Sequence, residues 1–228
     1  MTTHKHAIAA LILALIASML MLPRANAAVA LDLRAGTLGA GADLNVSLTA
    51  SLAARVGFSA FSRTETVDDT DATYDGKLKL GNASALLDWY PGGHFLRLSA
   101  GAVATGNKVN ITAVPVNGIY SFDGNTYSSD QIDSAVGHIK TGSSLAPYVG
   151  FGFGNPLSGH HFHVMLDVGV MLTGKPKVSL DVVCDSSLTN SECAQVQQAA
   201  RGEIADLQDK ADDLKVWPVL NFGIAYRF

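Results

Sequence analysis

The chain has 228 residues, of which 48% are hydrophobic and 16% charged, with 22 glycines and 7 prolines. So low a charge fraction is unusual in a soluble domain, and 20 acidic against 16 basic residues, a net charge of −4, argue against nucleic acid as a partner. Past the first two dozen residues no apolar run approaches the length of a transmembrane helix, which together with positive mean hydropathy and the export signal at the chain's start leaves a secreted protein or a β-barrel.

Lys5 lies in a short basic lead, Ala7 to Leu22 is almost wholly apolar, and Ala25-Asn26-Ala27 has the small-x-small pattern of a signal-peptidase site. Residues 1–27 are therefore expected to be a signal peptide, cleaved after Ala27, with residues 28–228 as one barrel domain. An uncleaved anchor is disfavoured by the short apolar stretch. Loss of Lys5 and Arg24 leaves 14 basic and 20 acidic residues, a mature charge of −6.

The remaining sequence alternates with the period of a strand. Residues 31–48 change phase around Gly36-Thr37, through either a bulge or a tight turn. Residues 50–66 set Leu52, Ala54, Val56, Phe58 and Ala60 against Arg55, Gly57, Ser59 and Arg63. In residues 73–90, Leu78 and Leu80 alternate with Lys77 and Lys79. Beyond Gly81 the apolar set shifts to Ala83, Ala85, Leu87 and Trp89, opposite Asp88, which predicts a bulge near Gly81. Residues 94–108 place Leu96 and Leu98 opposite Arg97 and Ser99. Residues 141–154 present Val149, Phe151 and Phe153, and residues 161–174 present Phe162, Val164, Leu166, Val168 and Val170 opposite His163 and Asp167. Residues 215–228 end the series, with Leu220, Phe222, Ile224, Tyr226 and Phe228 against Asn221, Gly223, Ala225 and Arg227. The terminal aromatic Phe228, with Tyr226 before it, resembles the assembly signal read by the barrel-assembly machinery.

These seven spans become eight if the first splits at residues 36–41, in keeping with the even strand number of bacterial barrels. The predicted fold is all-β: an antiparallel transmembrane β-barrel of eight strands in a Gram-negative outer membrane. Short turns at Pro91-Gly92-Gly93 and at Asn155–Gly159 mark the periplasmic side, and long connections near 108–140 and 175–214 mark the exterior. The second long connection carries one predicted helix, capped by Asn190 or Ser191. Its stripe of Val196, Ala200, Ile204, Leu207, Ala211 and Leu214 is suited to packing over the barrel mouth.

Arg34, Arg55, Lys77, Lys79, Arg97 and Arg227, with Asp32, Asp43, Asp88 and Asp167, project to the lumen. Two readings stand side by side. The ten charges pair and fill a narrow barrel, or their cationic excess attracts carboxylate-bearing solutes. Cys184 and Cys193 are the only cysteines, and an exported loop favours a disulfide between them. His160, His161 and His163 lack neighbouring ligands at metal spacing, so a solvated turn is expected and no metal or other cofactor. Asp133, Ser134 and His138 are the residue types of a hydrolase, but adjacency in a loop does not bring nucleophile and base together, and no enzyme is expected.

Several segments resemble the CarO-type outer-membrane proteins, small barrels of the OmpA/OmpW-like kind. They are Tyr74-Asp75-Gly76-Lys77-Leu78, Leu87-Asp88-Trp89-Tyr90-Pro91, Ser121 to Tyr127, Ala146-Pro147-Tyr148-Val149-Gly150-Phe151-Gly152-Phe153, Gly169-Val170, Thr173-Gly174-Lys175-Pro176-Lys177-Val178 and Trp217-Pro218-Val219. The resemblance implies an eight-stranded barrel that passes basic amino acids such as ornithine and is linked to the passage of carbapenems; it carries over no catalytic residue. The cysteine pair and the acid-rich helix depart from that pattern. The expected function is a narrow channel for small, amino-acid-like solutes, embedded in outer-membrane lipid. The alternative is a closed structural or adhesive barrel acting through its exterior loops.

Overall fold

The computed structural model describes residues 28–68, 73–93, 95–115, 118–122, 125–212 and 214–228; the expected signal peptide lies outside them. Among these residues thirteen strands and one α-helix follow in order: β1 (Val29–Gly36), β2 (Gly39–Ser47), β3 (Leu52–Asp68), β4 (Thr73–Trp89), β5 (Leu96–Thr105), β6 (Lys108–Val114), β7 (Ile119–Phe122), β8 (Asn125–Ser128), β9 (Ile132–Lys140), β10 (Leu145–Phe153), β11 (Phe162–Leu172), β12 (Lys177–Cys184), α1 (Asn190–Ala211) and β13 (Val216–Arg227).

Eight of these strands close on themselves. Around the ring run β1, β2, β3, β4, β5, β10, β11 and β13, every neighbour antiparallel, with β13 returning to β1. Closure leaves the ring no free edge, so every strand of it finds backbone partners on both sides. The split of the first span is a tight turn: Gly36 pairs with Gly39 across Thr37-Leu38. Gly39 there has φ of 97°, a conformation glycine takes without a Cβ penalty.

Within the ring the two faces keep the predicted solvents. Outward side chains are large and apolar, with Phe58 63%, Val164 63%, Phe222 57% and Ile224 54% exposed. Inward ones are charged, polar or small toward the short turns and apolar toward the long connections. An exposed apolar band of this extent would drive aggregation in water and belongs against hydrocarbon.

The expected bulge at Gly81 is absent. β3 and β4 pair in one register from Leu52↔Trp89 to Asp68↔Thr73. What changes is the partner: residues 82–89 of β4 pair with β5, and residues 73–79 pair with β6. β6 keeps the register of β5, so the two form one long strand interrupted at Gly106-Asn107. β6, β9 and β12 then add side by side, and part of the barrel wall rises beyond the ring as a tall sheet. Above the ring the solvents exchange. Leu78, on the inner face, is directly opposite Val109, while Lys77 and Lys79 face outward. The phase shift read in the sequence is therefore a change of environment on an unbroken strand, and Lys77 and Lys79 are not lumenal.

A second core forms on the inner face of this wall. Tyr120, Ile132, Ala135, Val196 and Ala199 are buried together, with Ala113, Leu180 and Val182 packed against them. α1 supplies Val196 and Ala199 and lies along β12, the wall's outermost strand. Its cap is Thr189, one residue ahead of the expected Asn190, in a capping box with Glu192. Val196, Ala200 and Ala211 of the predicted stripe are buried, whereas Leu207 and Leu214 are exposed. At the other helix end Gln208 clamps the start of β12: its amide donates to the Pro176 carbonyl (2.8 Å) and accepts from the Val178 N–H (3.1 Å). Asp212 pairs with Lys175. Cys184 and Cys193 are bonded and tie the end of β12 to the first turn of α1.

Candidate functional site: the barrel lumen

Strand alternation aims Arg34, Arg55, Asp88, Arg97 and Asp167 inward from five different strands, together with Asp32 and Asp43. All seven are buried. Arg55 is the hub. Its Nε lies 2.9 Å from Asp88 Oδ2, its Nη1 3.1 Å from Asp167 Oδ2 and 3.6 Å from Asp43 Oδ2. Its Nη2 donates to Asp88 Oδ1 at 3.1 Å and to Ser99 Oγ at 3.2 Å. Arg97 reaches the other oxygen of Asp167 at 2.6 Å, and Arg34 reaches Asp43 at 3.0 Å. A planar fork with five donors suits this bridging role, since one guanidinium can serve several carboxylates.

Three arginines and four aspartates give this cluster a formal charge of −1. The expected cationic surplus is thus absent, because Lys77 and Lys79 are outside. Asp32 is the unmatched acid: it is 1% exposed, and neither carboxylate oxygen has a hydrogen-bond partner among the described residues. Arg227 stands apart at the short-turn end, donating to the Ser158 carbonyl at 2.9 Å. It helps line a cavity of about 390 Å³ with Ala53, Tyr90 and Leu157, below the ion cluster.

Sequence periodicity did not reveal how the heads of these side chains find room. The inward glycines supply it. A Cβ on Gly57 would overlap Asp43 Oδ1, one on Gly223 would crowd Asp32, and one on Gly150 or Gly169 would crowd the Tyr148 hydroxyl. Glycines on a strand facing a closed lumen thus mark where neighbouring polar groups sit.

Toward the long connections the lumen turns apolar. Leu38, Leu86, Val103, Tyr148, Met171 and Val219 form a buried cluster with Trp217 against it. Asn82 donates to the Leu38 carbonyl at 3.2 Å and pins the β1–β2 turn over this end. Sequence reading missed this layer, because its members are scattered over five strands and the β1–β2 turn and interrupt the polar face only briefly in each.

The other candidates lie apart from the ion cluster. Tyr226 and Phe228 are outward and exposed, their rings edge-to-face with centroids 5.4 Å apart. The His161 ring nitrogen bonds the Arg227 carbonyl at 3.0 Å, and His163 bonds the His160 carbonyl at 2.9 Å. No cluster of metal-ligating side chains occurs among the described residues. Ser134 and His138 sit four residues apart on β9, about 13 Å at strand rise. His138 engages Asn110 (2.9 Å) and Asp181 (3.4 Å) instead.

The ring, its apolar exterior and its charged interior define a closed eight-stranded antiparallel barrel with one accessory helix. The crystal structure of Acinetobacter baumannii CarO2 is similar to this chain with a TM-score of 0.59 and 23% identity, over 88% of this chain and 98% of that one. Acinetobacter baumannii CarO matches with a TM-score of 0.58 and 22% identity over the same shares. The chain has the CarO-type fold. No protein-family model and no curated protein matches it in sequence.

Proposed function

We propose that the protein is an outer-membrane barrel that passes small zwitterionic, amino-acid-like solutes along a lumen closed at rest. The placement is supported by the apolar belt around the ring and by connections that are mostly short at one end and long at the other. The observation that carries the transport reading is the ion cluster itself. It holds both signs of charge and a carboxylate, Asp32, without a hydrogen-bond partner among the described residues, and the 390 Å³ cavity lies on its short-turn side. A solute ammonium group complements Asp32, and a solute carboxylate competes for the arginine forks. The apolar cluster is then the outer gate, and passage requires its side chains to move.

Liposomes carrying the purified barrel test this. Wild-type protein is expected to admit a small amino acid slowly, and Leu86→Ala, which thins the apolar cluster, to admit it several-fold faster. Equal exclusion by both proteins, with insertion verified, rejects transport. That result favours a second reading, a closed anchor for the external wall, which the separate core around Ile132 and Val196 supports.

A further inference from the structure

Four lysines stand in a line on the outer face of the external wall. Lys79 of β4 is directly opposite Lys108 of β6, Lys108 opposite Lys140 of β9, and Lys140 opposite Lys177 of β12. Directly paired residues share a face, so the four side chains emerge together across adjacent strands. With strands about 4.8 Å apart the row spans roughly 14 Å. Lys77 adds a fifth cation two residues along β4 on the same face.

The opposite face of the same strands is built for burial. Leu78, Val109, Ile139 and Val178 form the matching inner row, again directly paired. The lysines are therefore on the side that continues the apolar belt. Lys79 and Lys108 lie four residues beyond Ala83 and Ala104, outward residues at the top of the belt. That is about 13 Å of strand, and less along the membrane normal because barrel strands tilt.

Like charges placed directly opposite each other repel, and a row of four invites a counter-charge. The protein offers little. None of the five lysines has an ion pair among the described residues. Of the acids on this face, Asp75 accepts from the Thr66 hydroxyl at 2.7 Å and Asp181 faces His138.

We infer that this lysine row docks the phosphate groups of the anionic glycolipid in the outer leaflet, just above the hydrocarbon edge. The inference rests on the outer-membrane placement but not on transport. Its chemistry is that of a compact ammonium on a long apolar stem. The stem lies back along the belt while the head meets a phosphate. The side of the barrel that rises highest is then held upright by the lipid it stands in.

The test uses the full barrel in phosphatidylethanolamine vesicles that contain lipid A, dephosphorylated lipid A, or neither, with folding monitored by heat-modifiable mobility. Wild-type protein is expected to bind labelled lipid A and to unfold at a higher temperature in its presence, with no gain from the dephosphorylated form. Replacing Lys79, Lys108, Lys140 and Lys177 by Gln should weaken binding by about five-fold per lysine, and replacing them by Arg should largely preserve it. Equal binding of the two lipids, or undiminished binding by the Gln variant, overturns the inference. So does full stabilisation by inorganic phosphate alone, which would assign the row to a free anion. If the wild-type barrel inserts into none of these vesicles, the outer-membrane placement itself fails, a result distinguishable from the others by its mobility pattern.

Discussion

Replacing Arg55 with Met, which keeps much of the side-chain volume, removes the cation that three aspartates share. Arg55 contacts Asp88 through two nitrogens at 2.9 and 3.1 Å, Asp167 at 3.1 Å and Asp43 at 3.6 Å, and these side chains are at most 4% exposed. At an effective dielectric of about 20, each such pair carries roughly 4 kcal/mol of attraction. Much of that attraction is offset by desolvation, so removing one partner of a buried pair costs about 3–5 kcal/mol, chiefly through the charges left behind. The formal charge of the cluster would fall from −1 to −2. The assay is urea unfolding in detergent micelles at neutral pH, followed by fluorescence of Trp217, which packs on the neighbouring apolar cluster. Asp88→Asn combined with Arg55→Met should cost less than the sum of the two single changes, because one of the stranded charges is gone. A single Arg55→Met variant within about 1 kcal/mol of wild type would refute the view that this guanidinium holds the lumen together.

Three further outcomes follow from individual contacts. Gly57→Ala should cost about 1–3 kcal/mol in the same unfolding assay, because its Cβ would displace the Asp43 carboxylate from Arg34. Cys184→Ser opens a loop with a sequence separation of 9, worth about 2–3 kcal/mol in the loop-entropy model. Faster hydrogen exchange in α1 with unchanged protection in β1 and β13 is the expected result, since the disulfide lies outside the ring. Glu192 is held below its ordinary value of 4.5 by hydrogen bonds from the Thr189 hydroxyl and N–H. A lowered folded-state value means that this contribution is present above 4.5 and is lost as pH falls through the depressed value. Protection at the N-terminus of α1, measured relative to the intrinsic exchange rate at each pH, should therefore fall on acidification, and Glu192→Gln should remove that dependence.

The two-solvent pattern of the ring strands is local, and that is why it could be read directly. Leu220, Phe222, Ile224 and Tyr226 alternate with Asn221, Gly223 and Ala225, and the pleat sends alternate residues to opposite faces whatever their neighbours do. The lumenal places of Arg34, Arg55, Asp88, Arg97 and Asp167 followed from the same parity. The pairing of Cys184 with Cys193 needed only two cysteines in one exported loop. Lys77 and Lys79 mark the limit of such reasoning. Parity separates two faces but does not say which is inner, and above the ring the apolar face is the inward one.

Sequence alone determined the class of this protein: an all-β chain whose alternate residues meet unlike environments, with a helix and a disulfide in its last long connection. Only the tertiary structure decided the charge of the lumen, its apolar closure and the lysine row. Each of these depends on strands far apart in sequence being brought side by side. Arg55 meets Asp167 across 112 positions, and Lys79 meets Lys108 only because β4 changes partner where it leaves the ring. Periodicity is a property of one strand, whereas ion pairing and charge rows are properties of register between strands, which ring closure imposes.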